Sequence, residues 1–249
     1  MSNKRNKVLT IAGFDPSGGA GILADIKTFE SNGCLGFAIN TANTIQHESE
    51  FISPNWIAEE EVFSQLNCIL KQHQFDYIKI GLVPSLQFVK AVIQKLKTQN
   101  SSIKIVWDPI LSASAGFDFK HDLIELNEVL KHIYLITPNW NEVQQLTKND
   151  DEFKGAEALS KFTNIYLKGG HNLENLGKDY LFYDGKTFPL NPKTKKPIFE
   201  KHGSGCVFSS ALTANLAKDY SLLKACLRSK RYVEHFLSSS PKLLGYHKI

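Results

Sequence analysis

Short apolar runs alternate with segments of helical periodicity along most of this chain, and that alternation restricts the fold more than any single motif does. Val8–Ala12, Gly36–Thr41, Tyr77–Gly81, Ile103–Trp107, Ile133–Ile136 and Asn164–Leu167 are apolar, short and bounded by turn residues, and read as buried strands. Between them, Ala20–Ser31, Ala58–Gln72, Leu86–Lys97, Leu123–Leu130 and Glu142–Leu146 repeat apolar residues at helical spacing. Strands that alternate with helices and are apolar throughout belong to a parallel sheet with helices on both faces, an α/β fold. Ser53–Trp56 reads as a turn. Past Asp179 the pattern changes: Tyr180–Tyr183 and Lys186–Leu190 flank Asp184-Gly185, a hairpin signature. Ile198–Glu200 reads as one more edge strand, Ser221–Leu237 as a last helix or pair, and Ser238–Ile249 as a loosely held tail.

The 249 residues suffice for one large α/β domain or two small ones, with a full core. A formal net charge of +4, with Lys and Arg scattered, gives no nucleic-acid footprint; an anionic small molecule fits it as well. The four cysteines, Cys34, Cys68, Cys206 and Cys226, have neither disulfide-framework nor zinc spacing. Reduced thiols and a cytoplasmic location are therefore expected. Cys34, Cys68 and Cys226 read as small core residues. The apolar stretch Val8–Phe14 is short and runs straight into Asp15-Pro16-Ser17-Gly18-Gly19, so a signal peptide is not expected, and no apolar run approaches the roughly 20 residues of a membrane helix.

Polar residues or glycine follow the strands: Gly13, Asn43, Gly81, Asp108, Asn139 and Lys168. In open α/β sheets, ligands bind beyond the carboxyl ends of the strands, so these positions are expected to converge on one crevice. Lys201-His202-Gly203-Ser204-Gly205-Cys206 precedes a helical apolar run. Its glycines permit close backbone approach, and the first amides of a helix have no intrahelical partner. Gly203, Ser204, Gly205 and Cys206 thus form a candidate oxyanion nest, in which the helix field is expected to favour the Cys206 thiolate. Asp108 and Glu142 are candidate magnesium carboxylates acting through water. Asn139 is a candidate phosphate or water ligand, and Lys168 a candidate phosphate cation. Each also has a plain structural reading: strand-end cap, helix acid, turn residue, solvated lysine. Asp15–Gly19 leads into a helix without matching the dinucleotide fingerprint or the P-loop. His171 and His202 read as structural, and Lys193–Lys196 as a solvated loop.

At these residues the chain resembles the hydroxymethylpyrimidine and phosphomethylpyrimidine kinases of the ribokinase-like group. The resemblance rests on Ile11–Asp25, Asp108-Pro109, Thr137-Pro138-Asn139-x-x-Glu142, Lys168–His171 and His202–Cys206, in that order, and extends over nearly the whole chain. It implies a single domain over residues 1–249, a three-layer α/β/α fold and a cytoplasmic, homodimeric enzyme. It further implies ATP and Mg2+, with a monovalent cation as a further candidate cofactor. The reaction it implies is phosphorylation of the pyrimidine's hydroxymethyl group and then of the monophosphate, in thiamine biosynthesis. Cys206 stands where many sugar kinases of the group carry an aspartate base, and Asp25 matches a residue that hydrogen-bonds the pyrimidine.

The departures lie on the acceptor side. Aligning Asn40-Thr41-Ala42-Asn43-Thr44 with the group's Thr-Ala-Gln-Asn-Thr puts Ala42, beside Asn43, where a pyrimidine-binding glutamine is expected. That loss would cost about 1 kcal/mol of recognition. Leu82 replaces a usual methionine and Phe14 a common serine. With Gly13 these residues outline the expected acceptor pocket. The alternatives are a pyridoxine- or pyridoxal-type kinase of the same group, or a ligand-binding protein that has lost catalysis.

Overall fold

The computed structural model describes residues 5–110, 123–171 and 175–247. Its elements, in chain order, are β1 (Lys7–Phe14), α1 (Gly21–Ser31), β2 (Leu35–His47), β3 (Glu50–Trp56), α2 (Glu59–Gln72), β4 (Tyr77–Ile80), α3 (Leu86–Gln99), β5 (Lys104–Trp107), α4 (Leu123–Leu130), β6 (Leu135–Ile136), α5 (Trp140–Thr147), α6 (Glu152–Leu159), β7 (Asn164–Leu167), β8 (Asp179–Tyr183), β9 (Lys186–Leu190), α7 (Ser204–Ala217) and α8 (Leu222–Leu237). The strands form one sheet in the order β3-β2-β1-β4-β5-β6-β7-β8-β9. From β2 to β7 neighbours pair in parallel, while β3 at one edge and β8 and β9 at the other are antiparallel. The α/β expectation is met, with three layers.

The layers follow from strand alternation, because successive side chains point to opposite faces. Leu9, Ile11, Ile78, Ile80, Ile105, Trp107, Ile136 and Ile165 join one core with apolar residues of α2 to α6. Their neighbours Val106, Leu135 and Tyr166 face the other way, onto Phe208 and Leu212 of α7 and Leu222 and Ala225 of α8. Val8 packs with Phe29 of α1 and Ala214 of α7. Helix α7 is buried at every position from Cys206 to Ala217 and runs between α1 and α8. It therefore carries Ser209, Ser210, Thr213 and Asn215 inward, where each hydroxyl or amide is hydrogen-bonded.

The differences from the sequence reading have local causes. Ser53–Trp56 is the end of strand β3 rather than a turn; Pro54 pairs opposite Thr44 on an edge strand, a place in a sheet where a missing N–H is tolerated. Helix α6, unread in the sequence, is two turns long and is capped by the Asp151 side chain. Ile198–Glu200 is not a strand. The tail folds back through His247 instead of hanging loose: Ser240 O accepts from Lys201 Nζ, Leu243 O from His202 N, and Tyr232 and His247 are hydrogen-bonded. Lys248 and Ile249 lie outside the described residues, as does the side chain of His171. Cys68 is exposed, while Cys34 and Cys226 are buried as expected. Among the described residues no helix is long and apolar enough to cross a membrane.

The turn from β1 into α1 is the tightest local constraint. Gly21 has φ +58°, and a Cβ there would lie 2.2 Å from the Gly13 carbonyl oxygen. Gly21→Ala must therefore lose more than the ~1–2 kcal/mol of an unhindered left-handed residue. Urea denaturation is expected to show that loss; an unchanged midpoint would contradict the packing of this turn.

Candidate active site

Three strand ends and one helix start build the site. Asp108 follows β5 and Lys168 follows β7, while the turn after β6 carries Asn139, the N-cap of α5. Asn139 Oδ1 accepts from Glu142 N (2.8 Å) and Glu142 Oε2 accepts from Asn139 N (2.7 Å), a capping box that fixes Glu142 in the first helical turn. Lys168 N donates to Pro138 O (2.9 Å), an isolated parallel bridge three positions beyond the Ile136–Ile165 pair of β6 and β7. The Lys168 amine then lies 2.9 Å from Asp108 Oδ1 and 3.6 Å from Glu142 Oε2. Thr137 and Ser209 each donate to Asp108 at 3.0 Å. Neither residue was read as functional from the sequence; the spacing of Ser209 on α7 shows its role only once the helix is placed over β5.

The charges are set by burial and by each other. Burial raises Asp108, but Lys168, Lys79 and the Ser209 hydrogen bond outweigh it and hold its carboxyl below the ordinary value. Glu142 is pushed up to about 7 by burial and by Asp108, with Lys168 as a partial offset. Lys168 is raised despite burial because two carboxylates face it. It stays a cation, and it is no solvated lysine.

At the start of α7, Gly203 has φ +72° and no side chain caps the helix; Ser204 N reaches Lys201 O at 3.4 Å, a long contact, and the next amides, of Gly205 and Cys206, are the ones left for a ligand. The two glycine loops lock together here. A Cβ on Gly203 would lie 2.0 Å from Gly19 O, and His202 Nε2 lies 2.8 Å from Asp15 Oδ2. Asp15 also accepts from Ser17 N, Ser17 Oγ and Ala20 N, each at 2.8 Å. Burial raises Asp15, yet His202 and these donors bring it down to about 2. Cys206 contradicts one expectation. Its thiol is buried, and burial pushes it up to about 11 even though Lys79 and a Gly21 amide favour the thiolate. The helix field does not make it a thiolate.

Two cavities open at this junction. One, about 250 Å3, has Gly13, Thr44, Gln46, Leu82, Asp108 and Cys206 in its walls. The other, about 210 Å3 and mostly apolar, lies between β7, α7 and α8, with Tyr166, Phe208, Val233 and Leu237 in its walls. Both share Asn139, Lys168, Ser204 and Gly205.

Of the acceptor-side residues expected from sequence, Gly13 and Leu82 line the first cavity. Ala42 is buried deeper on the same face of β2, and Asn43 points away, exposed, accepting from Asn40 Nδ2. The period of two that buries Ala42 brings Thr44 and Gln46 to the cavity. Gln46 Nε2 donates to Thr44 Oγ1 (2.7 Å), which donates to the Phe14 carbonyl (2.8 Å). The glutamine in the cavity wall is thus residue 46, two pairs of residues on from Ala42 along the same face of β2. Asp25 does not line the cavity. It is fully buried and accepts from Thr10 (2.7 Å), from Ser210 (2.6 Å) and from the wholly buried Lys79. Its carboxylate is the counter-ion that lets Lys79 remain charged inside the sheet.

A mostly parallel sheet carrying two cavities that meet at a helix start beside Lys168 accords with the resemblance to the kinases of the ribokinase-like group. The sequence pattern of the phosphomethylpyrimidine kinase family matches residues 15–248, and the chain belongs to that family. It is 32% identical to the hydroxymethylpyrimidine/phosphomethylpyrimidine kinase of Aquifex aeolicus (strain VF5), over 94% of this chain and 95% of that one. The enzyme of that name from Bacillus subtilis (strain 168) is 33% identical over 88% and 84%. A bifunctional thiamine biosynthesis protein of Geobacter sulfurreducens is 34% identical, and this chain spans about half its length (48%). Among solved structures, the ADP complex of Bacillus subtilis pyridoxal kinase has a TM-score of 0.78 at 28% identity, covering 92% and 90% of the two chains. A phosphomethylpyrimidine kinase from Clostridium difficile 630 has a TM-score of 0.72 at 28% identity, covering 91% and 98%.

The Cys206 environment makes a direct prediction. Its alkylation by iodoacetamide, followed by mass spectrometry of the Cys206 peptide, is expected to keep accelerating from pH 7 to beyond pH 9. A plateau below pH 9 would contradict the buried neutral thiol.

Proposed function

We propose that the protein transfers the γ-phosphoryl group of ATP to the hydroxymethyl oxygen of 4-amino-5-hydroxymethyl-2-methylpyrimidine, and then phosphorylates the monophosphate so formed. The observation that carries this reading is the shared wall of the two cavities. The apolar one suits a nucleobase and the other a small polar ring, and Lys168 and the α7 amides stand where they meet. The family and the names of its members support the substrate class.

In this reading each group has a task set by its environment. The acceptor oxygen attacks the γ-phosphorus in line and ADP leaves. The amides of Gly205 and Cys206 face the equatorial phosphoryl oxygens, and Lys168, held protonated, follows the charge toward the leaving oxygen. Magnesium fits the donor set. Asp108 and Glu142 are hard oxygen ligands, and two carboxylates, with no third beside them among the described residues, suit an ion that keeps much of its water. When bound, it would neutralise phosphate charge. Cys206, a neutral thiol near pH 7, has no free base to offer and is left a proton-positioning role; the acceptor's proton leaves late, after the oxygen has bonded to phosphorus and become acidic, to a phosphoryl oxygen or to water. In a loose transition state little proton transfer is needed earlier. Gln46 would hydrogen-bond the pyrimidine's nitrogen edge. A homodimer accords with Ile45, Ile52 and Trp56 exposed on the β2–β3 edge hairpin.

The pyridoxine-type alternative was motivated by Ala42 and Phe14. With Gln46 in the cavity that motive weakens, although pyridoxal kinases stand among the structural neighbours. The test is ATP-dependent product formation with the pyrimidine alcohol, its monophosphate and pyridoxine side by side, read by mass. Mono- and diphosphate of the pyrimidine are expected; turnover of pyridoxine alone would overturn the assignment. Gln46→Ala is expected to raise KM for the pyrimidine roughly 5–10-fold with a smaller change in kcat, the loss of one or two hydrogen bonds.

A further inference from the structure

Residues 191–200 carry no regular secondary structure, yet they close one side of the apolar cavity with Pro192, Thr194 and Ile198. Two backbone donors of this turn are spent on a single buried carboxylate. Lys193 N lies 3.1 Å from Glu234 Oε1 and 3.2 Å from Oε2, and Thr194 N lies 3.0 Å from Oε2. Glu234 is on α8 and only 7% exposed. One helical turn earlier, Lys230 Nζ lies 3.9 Å from Glu234, 2.7 Å from Asp179 Oδ2 and 2.6 Å from Gly177 O. Asp179 in turn accepts from Tyr166 Oη (2.5 Å) and from Gly169 N (2.6 Å), the amide next to Lys168. Hydrogen bonds and one long ion pair, Lys230–Glu234, thus run from the cavity's roof to the residue beside the phosphate cation. Burying Asp179, Lys230 and Glu234 together carries a desolvation cost that an apolar wall would not. The return is a fixed position for a turn that has no hydrogen-bonded ladder of its own.

We propose that Glu234 is a positioning residue for the nucleotide: it clamps the 192–194 turn over the apolar cavity and, through Lys230 and Asp179, ties that turn to the Lys168-Gly169 segment. This rests on the reading of that cavity as the donor's site. Without the clamp the turn must be ordered by the nucleotide itself, a cost borne equally in the ground and transition states. It raises the KM for nucleotide and leaves kcat nearly unchanged.

The turn carries its own reporter. Lys193 and Lys195 are exposed and open to trypsin once the backbone is free, while Lys196 precedes Pro197. Glu234→Gln and Glu234→Ala are compared with the wild type in steady-state kinetics and in limited trypsinolysis, with and without saturating ADP. Both variants are expected to show KM for ATP raised ~10-fold, kcat within about threefold and an unchanged acceptor KM. Cleavage after Lys193 and Lys195 is expected to be faster without ADP and restored to the wild-type rate with it. Faster cleavage with unchanged KM for ATP would overturn the positioning role, and unchanged cleavage would overturn the clamp. If Glu234→Ala fails to fold, Glu234→Gln, of nearly equal volume, decides alone. Failure of the underlying reading looks different: ADP would then not protect the turn even in the wild type.

Discussion

Lys168 between Asp108 and Glu142 is the interaction on which the rest of the site depends. The three residues follow or flank three adjacent parallel strands, and none could approach the others without the sheet's register. A buried amine facing two carboxylates is held charged, and a carboxylate as enclosed as Asp108 stays ionised because that amine and Ser209 face it. Glu142 bears the remaining cost, pushed up to about 7 by burial and by the charge of Asp108. With Glu142 ionised the cluster carries one net negative charge, which a proton or a hard cation would neutralise.

A second constraint joins the two ends of the chain. The loop after β1 and the loop before α7 are remote in sequence, yet Gly203 abuts Gly19, Asp15 pairs with His202, and a Gly21 amide points at Cys206. Glycine is required because backbone lies where a Cβ would be. Beneath them the Asp25–Lys79 pair, with Thr10 and Ser210, joins β1, α1, β4 and α7 by buried polar contacts. These contacts fix the mouth of α7 relative to the strand ends.

Much of this was legible in the residues. Alternating apolar runs and helical segments announced the parallel sheet, and strand-end positions announced Asp108, Asn139 and Lys168, because ladder geometry forces them to one side. What escaped had specific physical causes. Pro54 hid an edge strand, since proline cannot donate to a ladder and is rare in the middle of a sheet. Gln46 was missed because register along β2 was counted from a local likeness instead of from the buried face. Asp25 was assigned to the ligand because sequence does not show that Lys79, inward-facing on β4, needs a counter-ion. Cys206 was read through its helix field alone, when burial is the larger influence. The clamp at Glu234 joins residues 41 apart through side chain and backbone, and no periodicity signals such a pair.

The most direct measurement of the central claim is the turnover of Lys168→Met, together with its nucleotide affinity by calorimetry. The account predicts a kcat at least 100-fold lower, the usual effect of removing one preorganised charge from a transition state. The protein should remain folded and still bind ADP through the apolar cavity. A folded Lys168→Met protein with kcat within a few-fold of wild type would show that phosphoryl transfer does not run through the junction of the two cavities.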